Sequence, residues 1–178
     1  MRMRLWTLRL LMLLVFPAIS AGCYANYKRV LVMNFESATG ANDADKLSIA
    51  VPEYIMTFMS GERGIVLLER QDINRFLEPV EGVELPKDSR LMQRRWKALG
   101  AWAGADYLIV GSVSKLDDNY TIVARLFSVE KGVVVPGSAV RESCRSEEEI
   151  FYQSQKVARA MTAHIHRRTY GTPLSPVE

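Results

Sequence analysis

The sequence predicts an α/β sandwich whose mixed sheet of about five strands opens with a parallel strand–helix–strand unit and closes with an antiparallel meander. Three observations carry this reading. Val30 to Phe35 is a nearly unbroken apolar run, as expected of a strand covered on both faces. Leu47, Ala50, Val51, Tyr54, Ile55, Phe58 and Met59 recur at helical spacing directly after it. Three strand-like segments between Tyr107 and Arg141 are joined by the short, turn-rich connections Asp117-Asp118-Asn119 and Glu130-Lys131-Gly132.

In chain order, Ser37 to Asp45 is polar with Gly40 and reads as a loop. The helix over Leu47 to Met59 contains Pro52, which either kinks it or marks where its regular part begins. Gly61 and Gly64 end that helix, and Ile65 to Leu68 is a second buried strand. Asp72 to Leu77 reads as a short helix, and Glu78 to Lys87, with Pro79, Gly82 and Pro86, as a surface loop. Asp88 or Ser89 caps the next helix, expected to bury Leu91, the Arg95 stem, Ala98, Leu99 and Trp102 before Gly104 stops it. Tyr107–Val113, Thr121–Val129 and Val133–Arg141 form the meander. Ser146 with Glu149 makes a capping box for the last helix, which buries Ile150, Ser154, Val157, Ala158, Met161 and Ile165 and places Arg167 and Arg168 at its negative end.

The N-terminal segment has a different character. Arg2, Arg4 and Arg9 precede the apolar run Leu10 to Ile19, and small residues Ser20-Ala21-Gly22 lead to Cys23. The apolar run is far shorter than the roughly 20 residues a membrane-spanning helix needs, and its three-part layout is that of an export signal. Ser20-Ala21-Gly22-Cys23 resembles a bacterial lipoprotein lipobox, although Ser20 stands where leucine is usual. That resemblance implies lipidation of Cys23, which would become the new N-terminus, and Tyr24 in place of aspartate then implies the outer membrane, facing the periplasm. Small residues here also suit ordinary signal peptidase, which leaves a soluble periplasmic or secreted protein with a free cysteine. The expected organisation is a signal peptide over 1–22, lipidated cysteine and tether over 23–28, the α/β domain over 29–168 and a tail over 169–178.

The whole chain carries 23 basic and 20 acidic residues, and three of the basic ones lie in the leader. The remaining 23 − 3 = 20 balance the acids, so no basic footprint for nucleic acid survives processing. Cys23 and Cys144 are the two cysteines; they either stand apart, with Cys23 lipidated, or bridge in an oxidising compartment. Neither a cofactor nor a metal is expected. His164 and His166 stand two apart on a helix, whereas helical metal ligands need spacings of three or four; charge at a helix end accounts for them. Glu69-Arg70-Gln71-Asp72 follows a buried strand, where α/β sheets hold ligands; Asp72 as a helix cap and Arg70 as an ion-pair partner account for it without chemistry. Arg94-Arg95-Trp96-Lys97 spreads around a helix as a solvated face with one core aromatic. Gly111 inside a strand marks a bulge or a close backbone approach.

Several stretches are similar to a group of bacterial envelope proteins that includes FlgO, CsgG, LpoB and the N-terminal domain of TolB. They are Val30 to Phe35; Leu68-Glu69-Arg70-Gln71-Asp72-Ile73; Ala98-Leu99-Gly100 followed by Gly104-Ala105-Asp106-Tyr107 through Val113; and Tyr120 to Gly132. The resemblance implies the same α/β fold and no catalytic residues. The functional expectation is a non-enzymatic interaction protein, held to the membrane by lipid on Cys23, that supports flagellar, secretion or cell-wall machinery. Its partners are other envelope proteins, with self-association left open. The alternatives are a component of a CsgG-like secretion channel, or a periplasmic small-ligand binder or enzyme.

Overall fold

A computed structural model describes residues 27–39, 42–69 and 89–170. The elements run β1 (Lys28–Val32), β2 (Glu36–Ser37), α1 (Asn42–Met59), β3 (Ile65–Leu67), α2 (Ser89–Ala103), β4 (Tyr107–Leu116), β5 (Asn119–Ser128), β6 (Val133–Val134), β7 (Val140–Cys144) and α3 (Glu147–Tyr170). The sheet has the order β3-β1-β4-β5-β6, with β2 beside β4 and β7 beside β5. β1 is parallel to both β3 and β4, and β4–β5, β5–β6 and β5–β7 are antiparallel. The α/β sandwich with a mixed sheet is therefore the observed architecture. Asp72–Leu77 and the loop over Glu78–Lys87 lie outside the described residues.

Strand alternation sends successive side chains to opposite faces, and both faces are covered. On one, Val30, Val32, Ile109, Val113, Ile122 and Leu126 pack with Val51 and Ile55 of α1 and with Ile150, Val157, Met161 and Ile165 of α3. On the other, Leu31, Met33, Leu108, Val110 and Phe127 pack with Leu99 and Trp96 of α2. All six positions expected to line the core face of α3 are buried.

Pro52 neither ends α1 nor leaves a bond unmade. It has no N–H to offer the carbonyl four residues back, that of Ser48, and the Phe35 N–H donates to this oxygen instead at 3.1 Å. Phe35 is available because the chain from Val32 to Glu36 takes four steps while its partner β4 takes three, from Ile109 to Ser112. The Phe35 ring lies on Gly111: a Cβ there would fall 2.6 Å from Phe35 Cε2 and collide with the Val123 carbonyl. Gly111 is thus a close approach, and the β4–β5 register runs through it without a bulge.

Two expectations are corrected. The stretch Val133–Arg141 is two strands, β6 and β7, because Pro136 and Gly137 (φ 74°) turn the chain between them. Fully buried Ser138 closes the gap: its hydroxyl accepts from the Leu126 N–H at 3.0 Å and donates to the Val135 carbonyl at 2.7 Å. The buried line of α2 is Trp96, Leu99 and Gly100, with Leu91 and Trp102 exposed by 45% and 55% and Ala98 also outward. The reason is Gly100, which lets the helix sit directly against Val129 where any Cβ would strike that side chain.

Candidate functional site

Cys23 lies outside the described residues. The described chain begins at the end of the fold where it enters β1. Exposed Tyr27 precedes Lys28, whose N–H donates to the Gly64 carbonyl at 2.8 Å. The next residue is fixed from three directions. The Arg29 N–H donates to Asp106 Oδ2 at 2.8 Å, the Asp106 N–H returns a bond to the Arg29 carbonyl at 2.8 Å, and the Arg29 guanidinium lies 3.8 Å from the same carboxylate. The Asp106 carbonyl in turn accepts from the Val129 N–H at 3.1 Å.

The Gly104-Ala105-Asp106-Tyr107 stretch explains itself in these contacts. Gly104, at φ 68°, ends α2 with a Schellman pair: its N–H donates to the Ala101 carbonyl and that of Ala105 to the Gly100 carbonyl. Asp106 then ties β1 to the start of β4 and the end of β5. The motif is a joint between α2 and three strands, and its carboxylate is occupied by the backbone.

The remaining candidates do not converge. Glu69 is exposed after β3, and Arg70 to Asp72 lie outside the described residues. His166 Nε2 is 2.9 Å from the Arg63 carbonyl. Burial, and then Arg167 and Arg168, hold the His164 pKa below the ordinary imidazole value, which disfavours a charged ring at this helix end. Trp96 packs edge-on against Phe127 at 5.6 Å, while Arg94 and Lys97 are exposed, as the spacing predicted. Cys144 is a buried free thiol at the edge strand β7, its pKa pushed up first by burial and then by Glu149, against a lowering backbone hydrogen bond from Ser146. Among the described residues, no three His, Cys, Asp or Glu side chains group as metal ligands, and no helix is long and apolar enough to cross a membrane.

Sequence reasoning missed an aromatic patch on the outer side of α1 and α3. Phe151 contacts Tyr54 (centroids 5.3 Å apart), Phe58 (4.8 Å) and Tyr152 (5.8 Å), yet Phe151 and Tyr152 remain 41% and 64% exposed. The signal was present: with Ile150, Ala158 and Met161 on the inward line of α3, Phe151 falls at the edge of the buried arc and Tyr152 on the opposite side.

These contacts define a mixed-sheet α/β sandwich whose first strand is held by Asp106. No protein-family model matches the chain, and no curated protein matches it in sequence. Solved structures that resemble it include the lipoprotein GNA1162 from Neisseria meningitidis, at 12% identity and TM-score 0.49, covering 83% of this chain and 99% of that one. The LpoB C-terminal domain from Escherichia coli is similar at 16% identity and TM-score 0.43, covering 75% of this chain and 93% of that one. TolB from Acinetobacter baumannii is similar at 12% identity and TM-score 0.43, over 83% of this chain but 29% of TolB.

Proposed function

We propose that the protein is a non-enzymatic, lipid-anchored periplasmic module that acts by binding other envelope proteins. The observation that carries this reading is the leader ending at Ser20-Ala21-Gly22-Cys23, with four residues, 24–27, between Cys23 and the start of β1 at Lys28. Acyl chains on Cys23 then hold the domain at the outer membrane, since more than one chain gives stable anchoring where a single one is marginal. The sequence resemblance to envelope proteins and the exposed rings of Phe151 and Tyr152 support the binding half of the reading; a rigid aromatic cluster at a protein surface is an apt contact site for a partner protein.

Detergent phase partitioning tests the anchor. The wild-type protein is expected in the detergent phase and the Cys23→Ser variant in the aqueous phase; equal partitioning of both would refute it. A photo-crosslinkable residue at position 152 tests the binding face. A discrete adduct with an envelope protein, lost on substitution of Phe151 by serine in a protein that still folds, supports it, and no adduct in intact cells counts against it.

A further inference from the structure

The sheet topology sorts the charges of this protein by end. β1, β3 and β4 run away from the point of chain entry and β5 runs back to it, so the strand starts, the β5–β6 turn and the C-termini of all three helices share one pole. Hydrogen bonds confirm the juxtaposition: Lys28 to Gly64, Asp106 to Arg29, Val129 to Asp106, and His166 Nε2 at the Arg63 carbonyl. Lys28, Arg29, Arg63, Lys131, Arg167 and Arg168 gather there, and the Lys97 stem lies against Gly132. Among the described acids, Glu62, Asp106 and Glu130 stand against them. The opposite pole has a smaller excess of the other sign, with Asp117 and Asp118 in the β4–β5 turn, Asp45 near the start of α1, Glu69 after β3 and Glu147–Glu149 at the start of α3 against Lys46, Arg90, Lys115 and Arg145.

Helix-end electrostatics explain part of this and no more. Arg167 and Arg168 sit in the last turn of α3, but α1 and α2 have no basic residue in theirs, and Lys28, Arg63 and Lys131 lie on a strand and in turns. The basic pole also bears two exposed aromatics, Tyr27 (58%) and Trp102 (55%, in the last turn of α2). Tyrosine and tryptophan beside lysine and arginine is the residue set that settles at a lipid–water interface.

The geometry points to a second membrane contact: the basic pole rests on anionic lipid headgroups, and Tyr27 and Trp102 reach the interface. This deepens the anchor reading and rests on it. Four residues, 24–27, separate the acylated Cys23 from Lys28, and the five Cα steps between them span at most about 17 Å. The anchor therefore holds this pole, and not the acidic one, within reach of the surface, where attraction extends over about 10 Å at 0.1 M salt. Basic residues next to an anionic leaflet are drawn to it, and acidic ones are repelled. The domain thereby gains an orientation: the acidic pole is turned away from the bilayer, towards partners.

The test uses the acylated full-length protein in vesicles containing lipids brominated on their chains. Processing removes Trp6 with the leader, and Trp96 is packed on Phe127, so Trp102 is the reporter, with Trp102→Phe as its control. Quenching is expected to be at least about twofold stronger on phosphatidylglycerol-containing vesicles than on pure phosphatidylcholine, and to weaken with added salt. Arg167→Glu/Arg168→Glu should weaken it too, and Lys131→Glu, in a turn, gives the same readout should the helix variant fail to fold. Protein that floats with both vesicles but shows no Trp102 quenching, or equal quenching on both, overturns the oriented contact while leaving the anchor intact. Protein whose Cys23 carries no lipid overturns the anchor, and the lipid-charge dependence of Trp102 quenching still decides the pole.

Discussion

Replacing Ser138 with alanine removes one oxygen from a site that water does not reach. The residue is fully buried, and its hydroxyl stands in for the strand partner that Leu126 loses where Pro136 and Gly137 break the edge. Without it the Leu126 N–H has no acceptor at 3.0 Å, and an unsatisfied buried amide costs about 1–3 kcal/mol. The Val135 carbonyl loses less, because it keeps the Ser138 N–H as a donor at 3.2 Å. The expected destabilisation is about 2 kcal/mol, or roughly 4–8 °C in Tm for a domain of this size. Urea unfolding followed by tryptophan fluorescence measures it, Trp96 being held against Phe127 next to the affected bond. The slope with urea should not change, since the surface exposed on unfolding does not. Ser154 supplies the control. It is equally buried, but its hydroxyl only back-bonds to the Ile150 carbonyl within α3 at 2.8 Å, so Ser154→Ala should fall within about 0.5 kcal/mol of wild type. Equal effects for the two serines would refute the assignment of Ser138 as the stand-in acceptor.

Other consequences are equally direct. Gly111→Ala should destabilise by about 2–3 kcal/mol through collision with the Phe35 ring and the Val123 carbonyl, and Phe35→Leu in the same chain should recover part of that in a double-mutant cycle. Pro52→Ala should yield far less than the roughly 3 kcal/mol of a simple helix-interior exchange, because the new amide competes with Phe35 for the Ser48 carbonyl; hydrogen exchange at Phe35 should accelerate. The folded-state pKa of His164 lies below its unfolded value, so its contribution to stability is present above pH 6.5 and is lost as pH falls through the folded value; His164→Gln should flatten the acid side of a stability–pH curve. Cys144, buried and with a raised pKa, should react with a thiol reagent at pH 8 at a rate that follows global unfolding, and faster labelling in native buffer would contradict its place in the core.

The parts of this fold that were legible in sequence are those where a local pattern and the tertiary outcome agree. α3 has one apolar line and a capping box, and the Ser146 hydroxyl does accept from the Glu149 N–H at 3.3 Å. Glu149 itself reaches one residue further back than the motif requires, to the Arg145 N–H. α2 was harder to orient because Leu91, Trp102, Leu99 and Trp96 spread over an arc of about 140°, wider than the strip the helix buries; its register is set by contact between Gly100 and Val129, far apart in sequence, which no local pattern encodes. The split of the last strand was announced by Pro136-Gly137, yet the hydroxyl that makes the split affordable is a long-range contact. The basic pole was invisible for a related reason. Its cations are scattered from Lys28 to Arg168, and only the strand directions bring them to one end. Cys23 is the converse case: its assignment rests on residue order alone.

Intact mass spectrometry of the protein purified from bacterial membranes tests the central claim most directly. The account predicts a chain that begins at residue 23 and carries the added mass of several acyl chains on that residue. A chain with an unmodified Cys23, or one cut elsewhere in the leader, would contradict it.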